Sequence, residues 1–230
     1  ETVGRASVCQ TSRMERLWLI AFVFLFSSQL SYATYGVDIS SLISQSTFEC
    51  LLKNGYSYAI VRCWRSTGSA DPNCPNTIKN AWNAGLDSVD VYMFPCYKCG
   101  NPQKQVQDAV TYLASHNSSY DVFWFDVEGP QYWSNVTEDN VVFMEGMLDE
   151  ANTLGLNIGI YSSKHAWPPI MGDWTGGSAY PLWYPHYNNQ TNFDDFVPFN
   201  GWTQPVMKQY YGDASICNAD VDLDWYPDSM

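Results

Sequence analysis

Two carboxylates lie two residues apart at the end of a strongly apolar segment, and this is the pattern with the clearest chemical use. The segment covers residues 122–125, the acids are Asp126 and Glu128, and residues 129–130 are Gly-Pro, which end a strand. Because side chains alternate along a strand, both acids are predicted on one side, with their Cα atoms about 6–7 Å apart. Apolar neighbours can separate the pKa values of such a pair, so that one acid donates a proton while the other stays ionised.

Other strand-like segments also end in acids or aromatic residues. Asp38 follows the short segment 35–37, and Asp222 lies in the last apolar segment. Rings lie on or at the ends of these segments at Tyr92, Phe94, Tyr161, Trp183 and Tyr210. Carboxylates beside aromatic faces suit a sugar polymer, because the C–H faces of pyranose rings stack on aromatic rings while the hydroxyl groups need fixed polar partners.

Each of these features also has a simpler interpretation. An Asp-x-Glu pair by itself is often solvated or bound to a metal, and Tyr and Trp residues in strands are more often core residues than sugar platforms. Alternation directs Asp220 and Asp224 to the same side as Asp222. Since not all three can be catalytic, Asp220 and Asp224 are expected to be surface charges.

The histidines and cysteines indicate neither a metal site nor a redox site. The three histidines, at positions 116, 165 and 186, share no ligand spacing. Cys96 and Cys99 have the C-x-x-C spacing, but no second Cys or His pair lies at a suitable spacing, which favours a structural disulfide. Neither a metal nor an organic cofactor is expected.

Eight apolar segments of strand length recur at intervals too long for hairpins. They cover residues 36–40, 58–63, 88–94, 122–128, 158–162, 182–187, 206–211 and 221–225. Helical patterns lie between most of them, at residues 102–116 and at residues 137–154. The second pattern starts with an N-cap-like cluster, residues 137–140, and Gly155 supplies its stop signal. Repeated βα units predict a parallel sheet, either open or closed into a barrel.

The last third of the chain departs from this alternation. Between Trp167 and Gln204, Pro, Gly, Asn and aromatic residues are dense, and no amphipathic helix of three turns is recognisable. The last strands are therefore expected to be joined by loops or short hairpins. The predicted fold class is α/β, an irregular TIM-like β/α barrel of about eight strands with reduced helices in the C-terminal third, because a full (β/α)8 barrel typically needs ~250 residues.

The N-terminal residues have the pattern of a secretory signal. Met14 is followed by Glu15 and Arg16, by an apolar run at residues 17–26 that is too short to span a bilayer, and by a small-x-small site that ends at Ala33. We expect residues 1–13 to be upstream, non-native sequence, residues 14–33 to be a signal peptide, and residues 34–230 to form a single domain. The protein is accordingly expected to be secreted, to an extracellular, lysosomal or phagosomal, or gut-lumen location.

An oxidising export route also agrees with the cysteine count. Without the leader, six cysteines remain, at positions 50, 63, 74, 96, 99 and 217. They allow up to three disulfides, whose pairing the sequence does not determine. Acceptor sequons for N-glycosylation start at Asn117, Asn135 and Asn189.

Composition and charge exclude several classes of protein. Hydrophobic residues make up 46% of the chain and charged residues 15%, which excludes a disordered chain. Eleven Lys and Arg against 24 Asp and Glu give a formal net charge of −13. Such an acidic chain is a poor candidate for binding nucleic acids or anionic membranes, because both require a basic surface.

Several short segments occur in one order along residues 35–226. They are Gly36-Val-Asp38-Ile-Ser40, Tyr58-Ala-Ile-Val-Arg62, Val91-Tyr92-Met-Phe94, Phe125-Asp126-Val-Glu128, Ile160-Tyr161-Ser162, Leu182-Trp183, Gln209-Tyr210 and Val221-Asp222-Leu-Asp224. In this order they resemble the glycoside hydrolase family 25 lysozymes, the Chalaropsis-type muramidases, in a secreted eukaryotic branch.

The resemblance implies an irregular β/α barrel that hydrolyses the β-1,4 bond between N-acetylmuramic acid and N-acetylglucosamine in peptidoglycan. It implies Glu128 as general acid/base and Asp126 as the group that orients the substrate's own 2-acetamido nucleophile, a substrate-assisted retaining route. Asp38 and Asp222 would complete an acidic floor, with Tyr92 near the reacting sugar. Further sugar contacts are expected from Phe94, Tyr161, Trp183, Gln209 and Tyr210. No cofactor is implied, and the expected protein is a monomer that binds peptidoglycan, with no nucleic acid and no membrane after signal cleavage.

The chain departs from the family pattern at three places. Lys208 stands where the family has Trp before Gln-Tyr, and Asp224 replaces the usual Asn. Residues 42–45 occupy the region of a Trp-Gln pair that this chain lacks. These departures affect glycan subsites and leave the four named acids in place.

Two other functions remain open from the sequence. A chitinase-type family 18 hydrolase also has a barrel and substrate assistance, but its signature Asp-x-Asp-x-Glu would require an acid at Trp124. A catalytically inactive secreted protein that keeps the glycan-binding groove is the alternative from another class, although both Asp126 and Glu128 are present.

Overall fold

Strands and helices alternate through most of the chain in a computed structural model, which describes residues 33–227. The strands are β1 (Ala33–Ile39), β2 (Tyr56–Arg65), β3 (Ser69–Ala70), β4 (Ser88–Met93), β5 (Phe123–Asp126), β6 (Ile158–Tyr161), β7 (Leu182–Pro185), β8 (Met207–Ile216) and β9 (Ala219–Pro227). The helices are α1 (Gln45–Lys53), α2 (Cys74–Ala84), α3 (Pro102–Ser115), α4 (Thr137–Thr153) and α5 (Trp167–Met171). The predicted upstream residues 1–13 and leader 14–33 lie outside the described residues, except for Ala33, which pairs with Pro227.

Eight strands close into a barrel. The order of neighbours is β1, β2, β4, β5, β6, β7, β8 and β9, and β9 pairs back onto β1. All contacts in this ring are parallel except those of β9, which runs antiparallel to both β8 and β1. The two-residue strand β3 lies outside the ring and pairs with β2. The predicted irregular barrel is confirmed, and each of the eight predicted apolar segments forms one of its strands.

The strand residues divide between two apolar clusters because successive side chains point to opposite faces. Every second strand residue, such as Val37 and Val61, packs with helix residues such as Phe48 of α1 and Met147 of α4. A smaller cluster contains no helix residue and fills the barrel interior. Its buried members are Tyr58, Ile60, Trp124, Tyr161, Trp183 and Met207.

Two glycines make room for the large rings inside the barrel. A Cβ atom at Gly36 would lie 2.2 Å from Cδ1 of Tyr58, and one at Gly159 would lie 2.2 Å from the indole of Trp124. These distances are far below van der Waals contact, so neither position accepts a side chain unless the ring moves.

Two of the helices agree with the two helical patterns located in the sequence, with one difference at a cap. Helices α3 and α4 occupy the two predicted regions. In the last third of the chain, where no long helix was expected, α5 is only five residues long. The cluster at residues 137–140 is not the N-cap of α4, because Val136 holds that position without a side-chain hydrogen bond. Glu138 and Asp139 instead lie in the first turn, where the helix dipole favours acids.

Two disulfides form among the described cysteines. Cys50 pairs with Cys217 and joins α1 to the turn between β8 and β9, and Cys96 pairs with Cys99, which confirms the disulfide predicted from the C-x-x-C spacing. Cys63 and Cys74 are buried thiols in the core, so the upper limit of three disulfides is not reached. The asparagines of all three sequons are exposed. No helix within residues 33–227 has the length and apolarity to cross a bilayer.

The two disulfides should differ strongly in their effect on stability. Cys50 and Cys217 are 167 residues apart, whereas Cys96 and Cys99 are three apart. A crosslink restricts the unfolded chain more when it closes a longer loop, so replacing Cys50 and Cys217 by Ser should lower the free energy of unfolding by about 2–5 kcal/mol. Urea unfolding without reductant measures this. The matched pair Cys96→Ser and Cys99→Ser should cost clearly less, and an equal or larger loss there would contradict the loop-length explanation.

Candidate active site

The acids predicted from the sequence converge at the end of the barrel where the parallel strands finish, which we call the barrel mouth. Asp38 lies near the end of β1, Asp126 ends β5, and Glu128 follows two residues later. Because β9 is antiparallel, its early residue Asp222 pairs directly with Asp38 at the same end. The four acids share a cavity of about 110 Å³. Its lining residues are Asp38, Tyr92, Asp126, Glu128, Tyr161, Trp183, Tyr187, Gln209 and Asp222.

Rings from neighbouring strands form the wall of this cavity. The ring of Trp183 has its centroid 4.5 Å from that of Tyr161 and 6.3 Å from that of Tyr92, both in edge-to-face geometry. Tyr187, which was not singled out in the sequence, also lines the cavity and is more exposed than the other rings. Its position two residues beyond β7, at a strand end like the other aromatic candidates, is the signal that could have identified it.

Two residues expected to contact the sugar do not line this cavity. The ring of Phe94 packs edge-to-face against Tyr132, with 5.0 Å between centroids. Tyr210 lies on the outer face of the barrel, where its ring contacts Tyr35 at 6.4 Å. Gln209 points inward, so alternation turns the next residue outward. The same rule, applied to the pair Gln209-Tyr210 in the sequence, would have excluded one of them.

Gln209 connects two of the acids to two tyrosines. Its Nε2 donates to Oδ2 of Asp38 at 2.6 Å and to Oδ2 of Asp222 at 3.3 Å. Its Oε1 accepts from the hydroxyl of Tyr161 at 2.7 Å and from that of Tyr187 at 2.8 Å. All the hydrogen-bonding capacity of the amide is therefore used inside the protein. Gln209 is placed to orient acids from β1 and β9 rather than to bind a sugar directly.

The acids at the barrel mouth hold protons more tightly than ordinary carboxyl groups. Burial, followed by the charges of Glu128 and Asp38, raises the pKa of Asp126 well above its usual value, and Arg62 opposes this shift. Burial and the charge of Asp222 raise the pKa of Glu128. Burial and the charge of Asp222 raise the pKa of Asp38 to about 7. The site can therefore hold a protonated acid beside ionised ones near neutral pH, as acid–base chemistry requires.

Asp126 is the more deeply buried member of the Asp126–Glu128 pair. Its side chain is nearly inaccessible, and its Oδ1 has no hydrogen-bond partner within the described part of the chain. Glu128 is partly exposed in the cavity. The carboxyl group of Asp126 lines the cavity, where it can accept a hydrogen bond from a ligand N–H. Glu128 lies nearer the solvent, where it can exchange protons with a substrate and with water.

Two sequence departures have different positions relative to the site. Lys208 is buried on the outer face and forms an ion pair with Asp195 at 2.9 Å, so it does not enter the cavity. Asp224 was expected to be a surface charge, and this is wrong, because it is 0% exposed inside the barrel. Its Oδ1 accepts a hydrogen bond from Nε1 of Trp183 at 2.8 Å. Asp220 is exposed, as expected.

A larger cavity lies away from the barrel mouth. It measures about 760 Å³, is wide open to solvent, and lies between residues 97–103 and α4. Asp139 is its single acidic lining residue, and none of the predicted site residues reaches it. Chemistry follows the convergence of functional groups rather than cavity size, so we assign the site to the barrel mouth.

The buried acids predict higher stability at pH 5 than at pH 8. Burial raises the pKa of Asp38 to about 7 and that of Asp90 to about 6, against 3.8 for an ordinary Asp side chain. The folded state therefore binds these protons more tightly than the unfolded chain, and the resulting stability is full below pH ~4 and is lost as the pH rises through 6 to 7. We expect a melting temperature several degrees lower at pH 8 than at pH 5. For a domain of this size, each kcal/mol of lost unfolding free energy lowers the melting temperature by ~2–4 °C.

The variant Asp38→Asn provides the control for this pH dependence. It removes the titration of Asp38, so its melting temperature should change less between pH 5 and pH 8 than that of the wild type. A wild-type melting temperature that rises from pH 5 to pH 8 would contradict the assignment of raised pKa values to these acids.

Comparisons with known proteins agree on one family. A family model described as "Lysozyme-like protein 1" matches residues 29–210. Two proteins of Dictyostelium discoideum, described as "Probable GH family 25 lysozyme 5" and "Probable GH family 25 lysozyme 2", are each 46% identical to this chain over 209 residues. These alignments cover 90% and 91% of this chain and 97% of each relative. The solved structure of a family GH25 lysozyme from Aspergillus fumigatus superposes with a TM-score of 0.70 at 18% identity, covering 86% of this chain and 96% of that one.

Proposed function

Because the chain belongs to the glycoside hydrolase family 25 lysozymes, we propose that its barrel mouth hydrolyses the β-1,4 bond between N-acetylmuramic acid and N-acetylglucosamine in bacterial peptidoglycan. Membership of this family makes the protein a glycoside hydrolase with a muramidase-type activity on peptidoglycan. The bond cleaved, the mechanism and the residue roles are the proposal.

The observation that carries the proposal is the convergence of four acids in one cavity lined by aromatic rings. Asp38 and Asp222 come from opposite ends of the chain, and they meet Asp126 and Glu128 at the barrel mouth. Burying several acids together in a chain with a formal net charge of −13 is energetically unfavourable, because the charged groups lose water and repel one another. Such clusters are typical of functional sites. The adjoining rings can stack against the apolar faces of sugar rings.

Glu128 acts as the general acid and then as the general base. It is the partly exposed member of the pair, and its raised pKa favours a proton on the carboxyl group in the free enzyme. In the first step this proton passes to the glycosidic oxygen as the bond to the anomeric carbon breaks. In the second step the carboxylate takes a proton from the water that attacks the same carbon, which restores the acid.

The nucleophile of the first step is the substrate's own 2-acetamido oxygen. The carboxyl group of Asp126, which lines the cavity, accepts the acetamido N–H and so turns the acetamido oxygen toward the anomeric carbon. Two inversions at this carbon give overall retention of configuration. Such substrate assistance departs from schemes in which a second carboxylate is the nucleophile.

The remaining cavity residues position these groups and the sugar. Asp38 and Asp222, held together by Gln209, form an acidic floor. Tyr92 lies near the reacting sugar, and the exposed ring of Tyr187 is the most accessible stacking surface.

Export of the protein as a monomer is also part of the proposal. The exposed sequon asparagines and the two disulfides support an oxidising route.

Product analysis on purified peptidoglycan tests the proposed function. Digestion followed by borohydride reduction should convert the new reducing ends to muramitol, because cleavage follows N-acetylmuramic acid. Glucosaminitol in its place, or activity on chitin alone, would overturn the muramidase assignment. Retained glycan binding without any new reducing ends would instead indicate an inactive glycan-binding protein.

A further inference from the structure

Asp224 lies one layer below the catalytic cavity and has no solvent contact. It follows Asp222 by two residues on β9, so both side chains point into the barrel. Across the ladders its Cα pairs with those of Gly36 on β1 and Gln209 on β8. Its Oδ1 already accepts the hydrogen bond from Nε1 of Trp183.

The second oxygen of Asp224, Oδ2, is buried without a donor within residues 33–227. Asp38 is the diagonal neighbour of Asp224 on the inner face of the barrel, because Asp38 pairs with Asp222 and Gly36 pairs with Asp224 across β1 and β9. The carboxyl group of Asp38 also accepts from Nε2 of Gln209 at 2.6 Å. Two carboxyl groups can form a hydrogen bond only when one of them carries a proton, because two ionised carboxylates would repel each other.

The surroundings of Asp224 favour the neutral acid. Its titratable neighbours are Asp38 on β1, Asp222 on β9, Tyr58 on β2 and Tyr210 on β8. None of these is a cation, and an ionised carboxylate buried without a cation is strongly unfavourable. Two basic side chains on the barrel strands β2 and β8 bind other partners.

Those basic side chains are Arg62 and Lys208. Arg62 donates to Asp71 and to the backbone oxygen of Ser40, and Lys208 binds Asp195 on the outer face. Burial and the charge of Asp38 raise the pKa of Asp224 well above its usual value. Asp38 accepts a hydrogen bond from Gln209, which favours its ionised form, and Asp224 is completely buried, so between the two acids the proton belongs to Asp224.

We propose that Asp224 is a positioning residue that stays protonated in the working enzyme and donates a hydrogen bond from Oδ2 to Asp38, which holds Asp38 as an ionised acceptor at the barrel mouth. The proton explains both oxygens of Asp224, because the carbonyl oxygen accepts from Trp183 while the hydroxyl donates to Asp38. The part of this inference that concerns catalysis rests on the proposed function, whereas the protonation of Asp224 does not.

Infrared difference spectroscopy on the full, unliganded protein tests the proton directly. The variant is Asp224→Asn, whose amide has the same shape, with an oxygen to accept from Trp183 and an NH2 group to donate to Asp38. The wild-type-minus-variant spectrum at pH 7 should contain the carbonyl band of one protonated carboxyl group. A difference spectrum with carboxylate bands alone would overturn the proposal, whether or not the protein is a muramidase.

Kinetics on purified peptidoglycan test the positioning role. Asp224→Asn should keep kcat/KM within about twofold of the wild type and leave the acidic limb of the pH profile unchanged. Asp224→Ala should lower kcat/KM by about tenfold, the usual scale for losing one buried hydrogen bond. The hydrogen bond from Asp224 lowers the pKa of Asp38, so its loss should move the acidic limb to higher pH.

Each result supports or opposes the inference. Equal losses in Asp224→Asn and Asp224→Ala, or an unshifted acidic limb in Asp224→Ala, would overturn the role toward Asp38. If Asp224→Ala fails to fold, the infrared result and the activity of Asp224→Asn decide together. If the wild type yields no muramic-acid ends, the proposed function fails while the infrared result still decides the protonation of Asp224.

Discussion

Glu128→Gln is expected to lower kcat on peptidoglycan by about 10²–10⁴-fold while leaving the fold intact. The amide conserves the shape of the side chain but can neither donate a proton to the leaving oxygen nor take one from water. The fold does not depend on the carboxyl group, because Trp133 donates to the backbone oxygen of Glu128 at 3.0 Å rather than to its side chain. The measurement is the rate of new reducing ends, with thermal unfolding to compare the folded proteins.

Glu145→Gln is the matched control for this substitution. Glu145 is exposed on α4, outside the cavity, so the same change of charge occurs away from the barrel mouth. It should leave kcat within about twofold of the wild-type value. Wild-type activity in Glu128→Gln would remove the acid/base role from this residue, and an equal loss in Glu145→Gln would trace the effect to net charge.

Asp126→Asn is expected to lower kcat by about 10²-fold, somewhat less than the loss in Glu128→Gln. Its carboxyl group aids the reaction by orienting the acetamido group, an electrostatic contribution of the size found when one stabilising group is removed from a transition state. Among residues 33–227 the buried oxygen Oδ1 has no hydrogen-bond partner, so the substitution breaks no hydrogen bond of that atom. Asp149→Asn, an exposed change on α4, supplies the control for charge.

A substrate lacking the N-acetyl group separates orientation of the acetamido group from other roles of Asp126. De-N-acetylated peptidoglycan has lost the internal nucleophile, so the wild type should already be slow on this substrate. Asp126→Asn should lower kcat on it only slightly further. The two changes should be strongly non-additive, because they remove the same interaction. Additive losses would mean that Asp126 acts on another part of the substrate.

The fold was largely predictable because hydrophobic periodicity reflects burial. Strands covered by helices outside and by rings inside are apolar on both faces, so all eight segments were recognisable. Helices α3 and α4 were recognised from one apolar face, and α4 also from its stop signal at Gly155. The cap of α4 was misassigned because residues favoured at an N-cap are also favoured in the first helical turn.

Candidate residues at strand ends were predictable, whereas the direction of some side chains was not. Asp126 and Glu128 share a side by alternation within one strand, which is a local property. Tyr210 lies on the outer face because alternation along β8 turns Gln209 inward, whereas Phe94 lies just beyond the end of β4 and packs against Tyr132. Asp224 was assigned to the surface because nothing nearby in the sequence indicates that Trp183 and Asp38 surround it.

The sequence by itself determined the order of strands and helices, the Asp126–Glu128 pair and the family pattern, because these depend on neighbours along the chain. Only the tertiary structure decided that β9 runs antiparallel and brings Asp222 beside Asp38, that Gln209 joins them, and that Asp224 is sealed inside the barrel. Barrel closure brings together residues more than 180 positions apart. Their protonation then depends on desolvation and mutual charge, which exist only once those groups share one buried space.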